Sequence, residues 1–207
     1  ERIAAYLRDH PVARLHLGCG RHGLPGWLNS DYDPAARGAV LLDVTRAFPL
    51  PNGSFERVFS EHLIEHLSFA DGARMLRECY RVLKPGGRIR VATPNLEAYL
   101  GLFAGEPGAL GRHYLEWFTA KYLSEVPVPR PAHVLNVAVR HWGHRFLYDR
   151  ATLTDALERA GFVKVLPCAP GRSDDELFAG VDSHGKTVGD EGVNEFETLV
   201  LEADRPI

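Results

Sequence analysis

Short apolar runs, each followed by glycine or by an acidic residue, recur along the first part of the chain. Apolar runs of this length between turn residues are typical of buried strands. We predict strands over residues 13–17, 27–31, 39–43 and 55–60. The first of them leads directly into Gly18, Cys19 and Gly20, where two residues without a Cβ allow unusual dihedral angles and close approach of a ligand.

Helical spacing of apolar residues appears between these strands and after them. It predicts a short helix before Pro11, a helix over 71–83 and another over 151–160 that Gly161 caps. The run Lys84-Pro85-Gly86-Gly87 is expected to stop the second helix. Further strands are predicted over residues 88–93, 162–166 and 198–202, with the last two as an antiparallel edge pair. This alternation predicts an α/β fold with a mostly parallel sheet.

Three stretches depart from that alternation. Residues 21–26 contain too much glycine and proline for a full helix, so the first helix after the glycine turn is expected to be shortened. Residues 94–148 are rich in aromatic side chains and histidine, and we predict that they form a mainly helical lid over the carboxyl edge of the sheet. Residues 170–194 are predicted to form a long loop. We treat residues 1–207 as one domain.

Composition narrows the class of protein. The chain has 207 residues, 45% of them hydrophobic and 25% charged, which is typical of a globular protein. A formal net charge of -3 argues against nucleic acid and against anionic membrane as partners. Three widely spaced cysteines favour free thiols in a reducing compartment, so we expect a cytoplasmic protein.

Two motifs in the sequence match signatures of known enzyme classes, one that binds NAD and one that uses zinc. Gly18 to Gly23 spells G-x-G-x-x-G, the fingerprint of NAD-binding oxidoreductases, but Pro25 and Gly26 interrupt the helix that this fingerprint needs. His62 to His66 spells H-x-x-E-H, a signature of zinc hydrolases; nothing nearby along the chain supplies the third ligand, although His141-Trp142-Gly143-His144 keeps that option open. We keep both as minor alternatives and assign no metal ligand.

A third match is the ordered set of motifs taken together. The matching stretches are Leu15 to Gly20, Ser60 to Leu67, Tyr80 to Gly87, Gly143 to Asp149 and Ala160 to Phe162. In this order they resemble the class I S-adenosylmethionine-dependent methyltransferases, particularly the small bacterial type-11-like group. The resemblance implies a doubly wound, seven-stranded, Rossmann-like sheet. It also implies S-adenosyl-L-methionine as the cofactor.

The resemblance further implies where that cofactor binds. The glycine turn would contact the amino-acid portion of the cofactor. Asp31 would bind the ribose hydroxyls, with Asp33 as the alternative residue for this role, and Asp43 would bind the adenine. Glu61 and His62 would lie beside the sulfonium and its methyl group. The cofactor-binding residues expected in this way are Leu17, Gly18, Cys19, Gly20, Asp31, Tyr32, Asp43, Val44, Ser60, Glu61 and His62.

The expected reaction is transfer of the methyl group to a small-molecule acceptor, on oxygen or nitrogen, possible substrates being a sugar or a secondary metabolite. His62 and His144 are the candidate general bases, because histidine titrates near neutral pH. Cys19 is interpreted as a small residue, not a reactive thiol. The main alternative is a non-catalytic domain that binds S-adenosylmethionine or has a regulatory role. The oligomeric state and the acceptor stay open.

Overall fold

A seven-stranded sheet forms the centre of the computed structural model, which describes residues 1–33, 35–36, 38–128 and 130–207. The strand order is β3-β2-β1-β4-β5-β7-β6. β1 to β5 pair in parallel, and β7 runs antiparallel to both β5 and β6. The predicted mostly parallel sheet with an antiparallel edge is therefore confirmed.

The strands lie close to their predicted positions. Their bounds are β1 Arg14–Leu17, β2 Leu28–Asp31, β3 Val40–Leu41, β4 Phe55–Glu61, β5 Leu83–Pro94, β6 Val163–Cys168 and β7 Thr198–Asp204. β5 differs most, because it starts directly after a helix and includes Lys84 to Gly87. The pairing with β4 is irregular there, so the expected helix-stopping turn is absorbed as a bulge in the strand.

The helices are α1 Arg2–Asp9, α2 Phe69–Val82, α3 Leu96–Gly101, α4 Ala109–Tyr122, α5 Pro131–Arg140, α6 Arg150–Ala160, α7 His184–Val188 and α8 Glu191–Glu197. Ser68 caps α2 through a hydrogen bond from the Asp71 amide, and Gly161 ends α6 with a φ of 106°. No helix forms between β1 and β2 in the described residues, as predicted. Among those residues, no helix is both long and apolar enough to cross a membrane.

One face of the sheet carries the main hydrophobic core. Leu15 and Leu17 of β1 point into it, together with apolar residues of β4, β5 and β7. α2 and α6 pack there through residues such as Leu76 and Leu157. Burying these side chains removes apolar surface from water, which is the dominant stabilising contribution to folding.

The other face, where a helix after β1 would pack, is covered by a segment from the other end of the chain. This cover segment, residues 169–183, follows β6. Its Phe178 and Val181 form a buried cluster with Trp27 and Phe59 of the sheet side. Arg90, fully buried on β5, pairs with Asp182 of the cover segment and with Glu202 of β7 at 2.6 Å.

The predicted long loop over 170–194 is wrong in its second half. α7 and most of α8 lie there, and Asp190 caps α8 by accepting from the Val193 amide at 3.0 Å. α8 packs against α4 and α3, and a second hydrophobic cluster forms around Tyr114, Phe118 and Val193. The helices predicted for 94–148 are present as α3, α4 and α5.

Candidate functional site

Three parallel strands end at the same level at one edge of the sheet. Leu17 of β1 lies opposite Ser30 of β2 on one side and Ser60 of β4 on the other. All three residues are buried, and Ser30 Oγ donates a hydrogen bond to the carbonyl of His16 at 2.9 Å. The residues that follow these positions are Gly18, Asp31 and Glu61. The register therefore brings the predicted glycine turn and two predicted acids to one edge.

The glycine turn depends on its glycines. Gly18 has a φ of 66° and Gly20 a φ of 49°, in the region that side chains rarely occupy. A Cβ on Gly18 would lie 3.0 Å from the side chain of Leu63. Between them, Cys19 donates its amide to the Ser30 carbonyl at 3.0 Å, which ties the turn to β2.

Asp31 holds the same turn from the other side. One carboxylate oxygen accepts a hydrogen bond from the Gly20 amide at 2.7 Å, and the other accepts from the Asp33 amide at 2.8 Å. Asp33 in turn caps the Ala35 amide. Tyr32 is 71% exposed, so its ring is free to lie against a ligand at this edge.

Asp43 follows β3, further along the same edge. Its Oδ1 accepts from both the amide and the hydroxyl of Thr45, at 2.9 and 2.6 Å. These hydrogen bonds lower the pKa of Asp43, and the nearby Arg46 guanidinium lowers it further. The neighbouring Val44 is buried. Asp43 is therefore an ionised carboxylate at the surface of the edge.

A cavity of about 190 Å³ opens beside the glycine turn. Its lining combines the turn, the end of β4 and the start of α7: His16, Gly18, Cys19, Gly20, His22, Glu61, His62, Ser183, His184 and Thr187. Burial lowers the pKa of His16 to about 4, so this ring is neutral, and burial raises the pKa of the Cys19 thiol. The raised pKa supports the interpretation of Cys19 as a small residue and not a nucleophile.

Glu61 binds the start of α7 with its whole carboxylate. Oε1 accepts from the amides of Ser183 and His184 at 2.9 and 3.0 Å, and Oε2 accepts from the Ser183 hydroxyl at 2.7 Å. The end of β4 and the end of the cover segment are thereby joined at the cavity. The sequence predicted Glu61 at the site, but neither Ser183 nor His184.

A second cavity of about 280 Å³ lies on the far side of His62 and His184. Its walls are aromatic, with a few charged groups: His62, Glu65, His66, Pro94, Tyr99, Trp117, Phe118, Lys121, Tyr122, Trp142, His144, His184, Thr187, Val188 and Glu197. Three residues, His62, His184 and Thr187, line both cavities. Residues of the 94–148 stretch thus form much of the wall of this second cavity, next to the glycine-turn cavity.

His62 stands between the two cavities in an unusual conformation. Its φ of 47° is left-handed, which is uncommon for a residue with a side chain and clusters at functional sites. Its Nδ1 lies 3.2 Å from Glu65 Oε1, and its Nε2 is buried without a hydrogen-bond partner among the described residues. Although burial opposes the charged form, the Glu65 carboxylate raises the pKa of His62, and His62 lowers that of Glu65.

Glu197 organises the opposite wall. Its Oε1 lies 2.8 Å from His184 Nε2, and its Oε2 accepts a hydrogen bond from the Tyr114 hydroxyl at 2.9 Å. Burial and the neighbouring Tyr99 and Glu197 raise the pKa of Tyr114 far above its ordinary value. Sequence reasoning missed Glu197, and the cap Asp190 ahead of apolar Val193 was the only local signal for the helix that carries it.

His144 lines the second cavity, as His62 does. Its Nδ1 is 2.6 Å from the Ala138 carbonyl, and burial lowers its pKa, so the ring is neutral and donates through Nδ1. The segment that carries His144 is anchored to the turn that follows β4, because the amides of Arg145 and Phe146 both donate hydrogen bonds to the Glu65 carbonyl. The two predicted catalytic histidines therefore line one pocket.

Neither the G-x-G-x-x-G motif nor the H-x-x-E-H motif lies in the secondary structure that its chemistry requires. Residues 18–27 contain no helix, so G-x-G-x-x-G lacks the helix N-terminus that binds a pyrophosphate. H-x-x-E-H needs two histidines on one helix face, but His62 is left-handed and Ile64–His66 is a single 3-10 turn. Neither the dinucleotide nor the zinc-hydrolase arrangement is present.

Comparison with known proteins adds a family. Residues 15–91 match the family model described as a methyltransferase domain. A probable S-adenosylmethionine-dependent methyltransferase of Mycolicibacterium smegmatis is 49% identical over 47 residues, which cover 23% of this chain and 18% of that protein. The chain therefore matches less than one fifth of the length of this curated relative.

Solved structures agree on the fold. An S-adenosylmethionine-dependent methyltransferase from Mesorhizobium loti is 20% identical, with coverage of 98% of this chain and 96% of that chain and a TM-score of 0.52. Phosphoethanolamine N-methyltransferase 2 of Haemonchus contortus, solved in complex with S-adenosyl-L-methionine, is 15% identical, with coverage of 100% and 52% and a TM-score of 0.52. Residues 15–91 therefore match a methyltransferase family model, and the chain as a whole adopts the fold of these solved methyltransferases.

Proposed function

We propose that this protein transfers a methyl group from S-adenosyl-L-methionine to a small-molecule acceptor. The observation that supports this most is the pair of adjoining cavities, one at the glycine turn and one under the aromatic helices, with His62 and His184 between them. Methyl transfer needs two ligands that meet end to end. S-adenosylmethionine supplies a methyl group already activated on a sulfonium, so the protein's task is chiefly alignment, which can contribute roughly 7–11 kcal/mol.

The residues at the glycine turn fit that cofactor. Gly18 and Gly20 leave room for backbone to meet its amino-acid portion, and Asp31 keeps acceptor lone pairs for a ribose diol beyond its two amide contacts. Asp43 and Val44 would hold the adenine. Glu61 would place a negative charge near the sulfonium, because it lines the glycine-turn cavity.

The acceptor would occupy the second cavity. Its volume of about 280 Å³ suits a small molecule, and its apolar walls come from Trp117, Phe118, Tyr122 and Trp142. The ammonium of Lys121 lies 4.5 Å from the Trp117 ring centroid at this wall. We infer that residues 94–148 act as an acceptor-side lid within a single domain, residues 1–207. The net charge of -3 argues against nucleic acid as the substrate.

We assign His62 as the general base for an acceptor that must lose a proton. Its Nδ1 faces the Glu65 carboxylate at 3.2 Å, which orients the ring, while its buried Nε2 has no hydrogen-bond partner in the part of the chain that the structure describes. A histidine held by a carboxylate with one free nitrogen is a common arrangement for proton transfer. His144 is the second candidate, through Nε2 alone, because its Nδ1 is engaged by Ala138.

Calorimetry with S-adenosylmethionine and with NAD tests the cofactor. We expect one equivalent of S-adenosylmethionine to bind and NAD not to bind; binding of NAD alone would overturn the proposal. A panel of small hydroxyl and amine compounds, with S-adenosylhomocysteine release as readout, then tests catalysis. Binding without turnover on the whole panel would favour the non-catalytic module. Once an acceptor is found, His62→Asn is expected to lower turnover about 10²–10⁴-fold without loss of cofactor binding.

A matched pair of variants tests the cofactor geometry. Asp31→Ala removes the carboxylate that contacts Gly20, and we expect at least a tenfold loss of affinity for S-adenosylmethionine. Asp33→Ala removes the competing acid, whose side chain contacts only Ala35 in the described residues, and we expect a change below about threefold. The reverse order of effects would move the ribose contact to Asp33.

Location and partners complete the proposal. Cys19, Cys79 and Cys168 are all free thiols, which is consistent with a reducing compartment such as the cytoplasm. The acceptor is a small molecule in this proposal.

A further inference from the structure

We propose that Glu65, His66 and His144 bind a divalent transition-metal ion, of the zinc class, in the wall of the second cavity. Each of the three offers one ligand atom, and these atoms all lie within 4.8 Å of one another. All three residues line the same cavity of about 280 Å³. Small side-chain rotations would close this spacing around an ion with bonds of about 2.0–2.2 Å.

The Glu65 carboxylate is a buried anion that a cation would complete. Its side chain is fully buried, and its Oε1 faces His62 Nδ1 at 3.2 Å, in a geometry that gives Oε1 no hydrogen bond in the described residues. Its Oε2 accepts from the Thr93 hydroxyl at 2.9 Å, which fixes the orientation of the carboxylate. A buried charged group left without a hydrogen bond is costly unless a further ligand satisfies it.

His144 has the environment of a metal-binding histidine. Its Nδ1 lies 2.6 Å from the Ala138 carbonyl and donates to it, which directs the lone pair of Nε2 away from that bond. Metal-ligating histidines almost always donate their other ring nitrogen to a carbonyl or a carboxylate in this way. The rings of His66 and His144 are already close, with centroids 5.1 Å apart.

The backbone holds the two halves of the site together. The amides of Arg145 and Phe146 donate to the carbonyl of Glu65 at 2.7 and 3.1 Å. The segment that carries His144 is therefore attached directly to the turn that carries Glu65 and His66. A site assembled in this way needs little rearrangement when an ion enters, which favours binding.

The donor set decides the class of ion. Two imidazoles and one carboxylate suit zinc and neighbouring first-row metals, whereas magnesium and calcium prefer oxygen ligands alone. Three protein ligands leave coordination positions open toward the cavity, as in catalytic sites. Resting on the proposed function, the ion would hold an acceptor oxygen and lower the pKa of its hydroxyl. The site therefore favours hydroxyl-bearing acceptors over amines.

Titration of metal-free protein with zinc chloride tests the site. We expect one equivalent to bind to the wild type and magnesium chloride to give no comparable binding. His66→Ala and His144→Ala are each expected to weaken zinc binding at least tenfold. His141→Ala, an exposed histidine in the same segment, is the matched control and should bind within about twofold of wild type. Absence of stoichiometric zinc, or equal binding by His144→Ala, would overturn the proposal.

Two additional measurements separate the possible failures. Glu65→Gln removes the third ligand and is expected to weaken zinc binding as well. Melting curves establish that each variant is folded, and the two histidine variants decide the outcome even if Glu65→Gln does not fold. S-adenosylmethionine affinity is measured on the same samples and is expected to stay unchanged in His144→Ala. Zinc binding without cofactor binding would support the metal site and refute the methyltransferase proposal. The converse result would refute the metal site alone.

Discussion

The imidazole rings of His62 and His184 lie against each other, with centroids 3.7 Å apart and planes inclined by 32°. One ring comes from the end of β4 and the other from the start of α7, yet both line both cavities. His184 is held there by Glu197 at 2.8 Å, and its backbone is held by Glu61. Any ligand that enters the glycine-turn cavity therefore contacts α7 as well as the turn.

This relationship predicts a change in hydrogen exchange on cofactor binding. S-adenosylhomocysteine is expected to slow amide exchange across residues 183–188, because Ser183, His184 and Thr187 line the cavity that it would fill. Mass spectrometry with and without the ligand measures this, with α6 as an unaffected reference. Asp31→Ala at the same ligand concentration should show less protection. Saturating binding without protection of 183–188 would place the cofactor elsewhere.

The glycine turn predicts a sharp difference between two glycines. Gly18→Ala puts a Cβ at a φ of 66° and 3.0 Å from Leu63, so we expect a loss of about 1–3 kcal/mol in unfolding free energy. S-adenosylmethionine affinity should fall at least tenfold as the turn shifts. Gly101→Ala at the end of α3 meets open space and should be neutral or stabilising by up to about 1 kcal/mol.

Urea denaturation and calorimetry measure the two quantities for both variants. Equal affinity of Gly18→Ala and wild type for S-adenosylmethionine would show that the turn does not contact the cofactor.

The cover segment predicts a large stability effect from one buried charge. Arg90→Met keeps most of the volume but leaves the buried carboxylate of Asp182 without its cation, and leaves Glu202 with Arg88 at 3.4 Å. Removing one partner of a buried ion pair costs about 3–5 kcal/mol. Arg8→Ala, which breaks an exposed pair with Asp9, should cost less than about 1 kcal/mol.

Urea denaturation of the two arginine variants gives the free energies, and hydrogen exchange should show faster opening of residues 169–183 in Arg90→Met. A cost below about 1 kcal/mol for Arg90→Met would mean that the segment is held by Phe178 and Val181 instead.

His16 predicts a pH dependence of stability. Burial lowers its pKa to about 4, below the ordinary value of 6.5, so the unfolded chain binds a proton that the folded chain refuses. Stability is therefore lost as the pH falls through 6.5 toward 4, by about 2 kcal/mol between pH 7 and pH 5. His16→Gln removes this contribution. The difference in unfolding free energy between wild type and variant should shrink by that amount over the interval; a constant difference would contradict the assignment.

Local patterns were sufficient for much of the fold. The apolar runs predicted every strand to within a few residues, apart from the start of β5, and Gly161 ended α6 as expected. α7 and α8 were missed because they have only five and seven residues, too few for helical periodicity to show. Contacts from distant parts of the chain hold them, in particular Glu61 on α7 and Tyr114 on α8.

The sequence by itself determined the glycine turn, the order of acids at the sheet edge and the resemblance to methyltransferases, because each is written in residues close together along the chain. Only the tertiary structure decided what lies opposite them. It placed the cover segment on the face left open after β1, set His184 against His62, and gathered Glu65, His66 and His144. The physical reason is that such contacts depend on strand register and long-range packing, which no local pattern specifies.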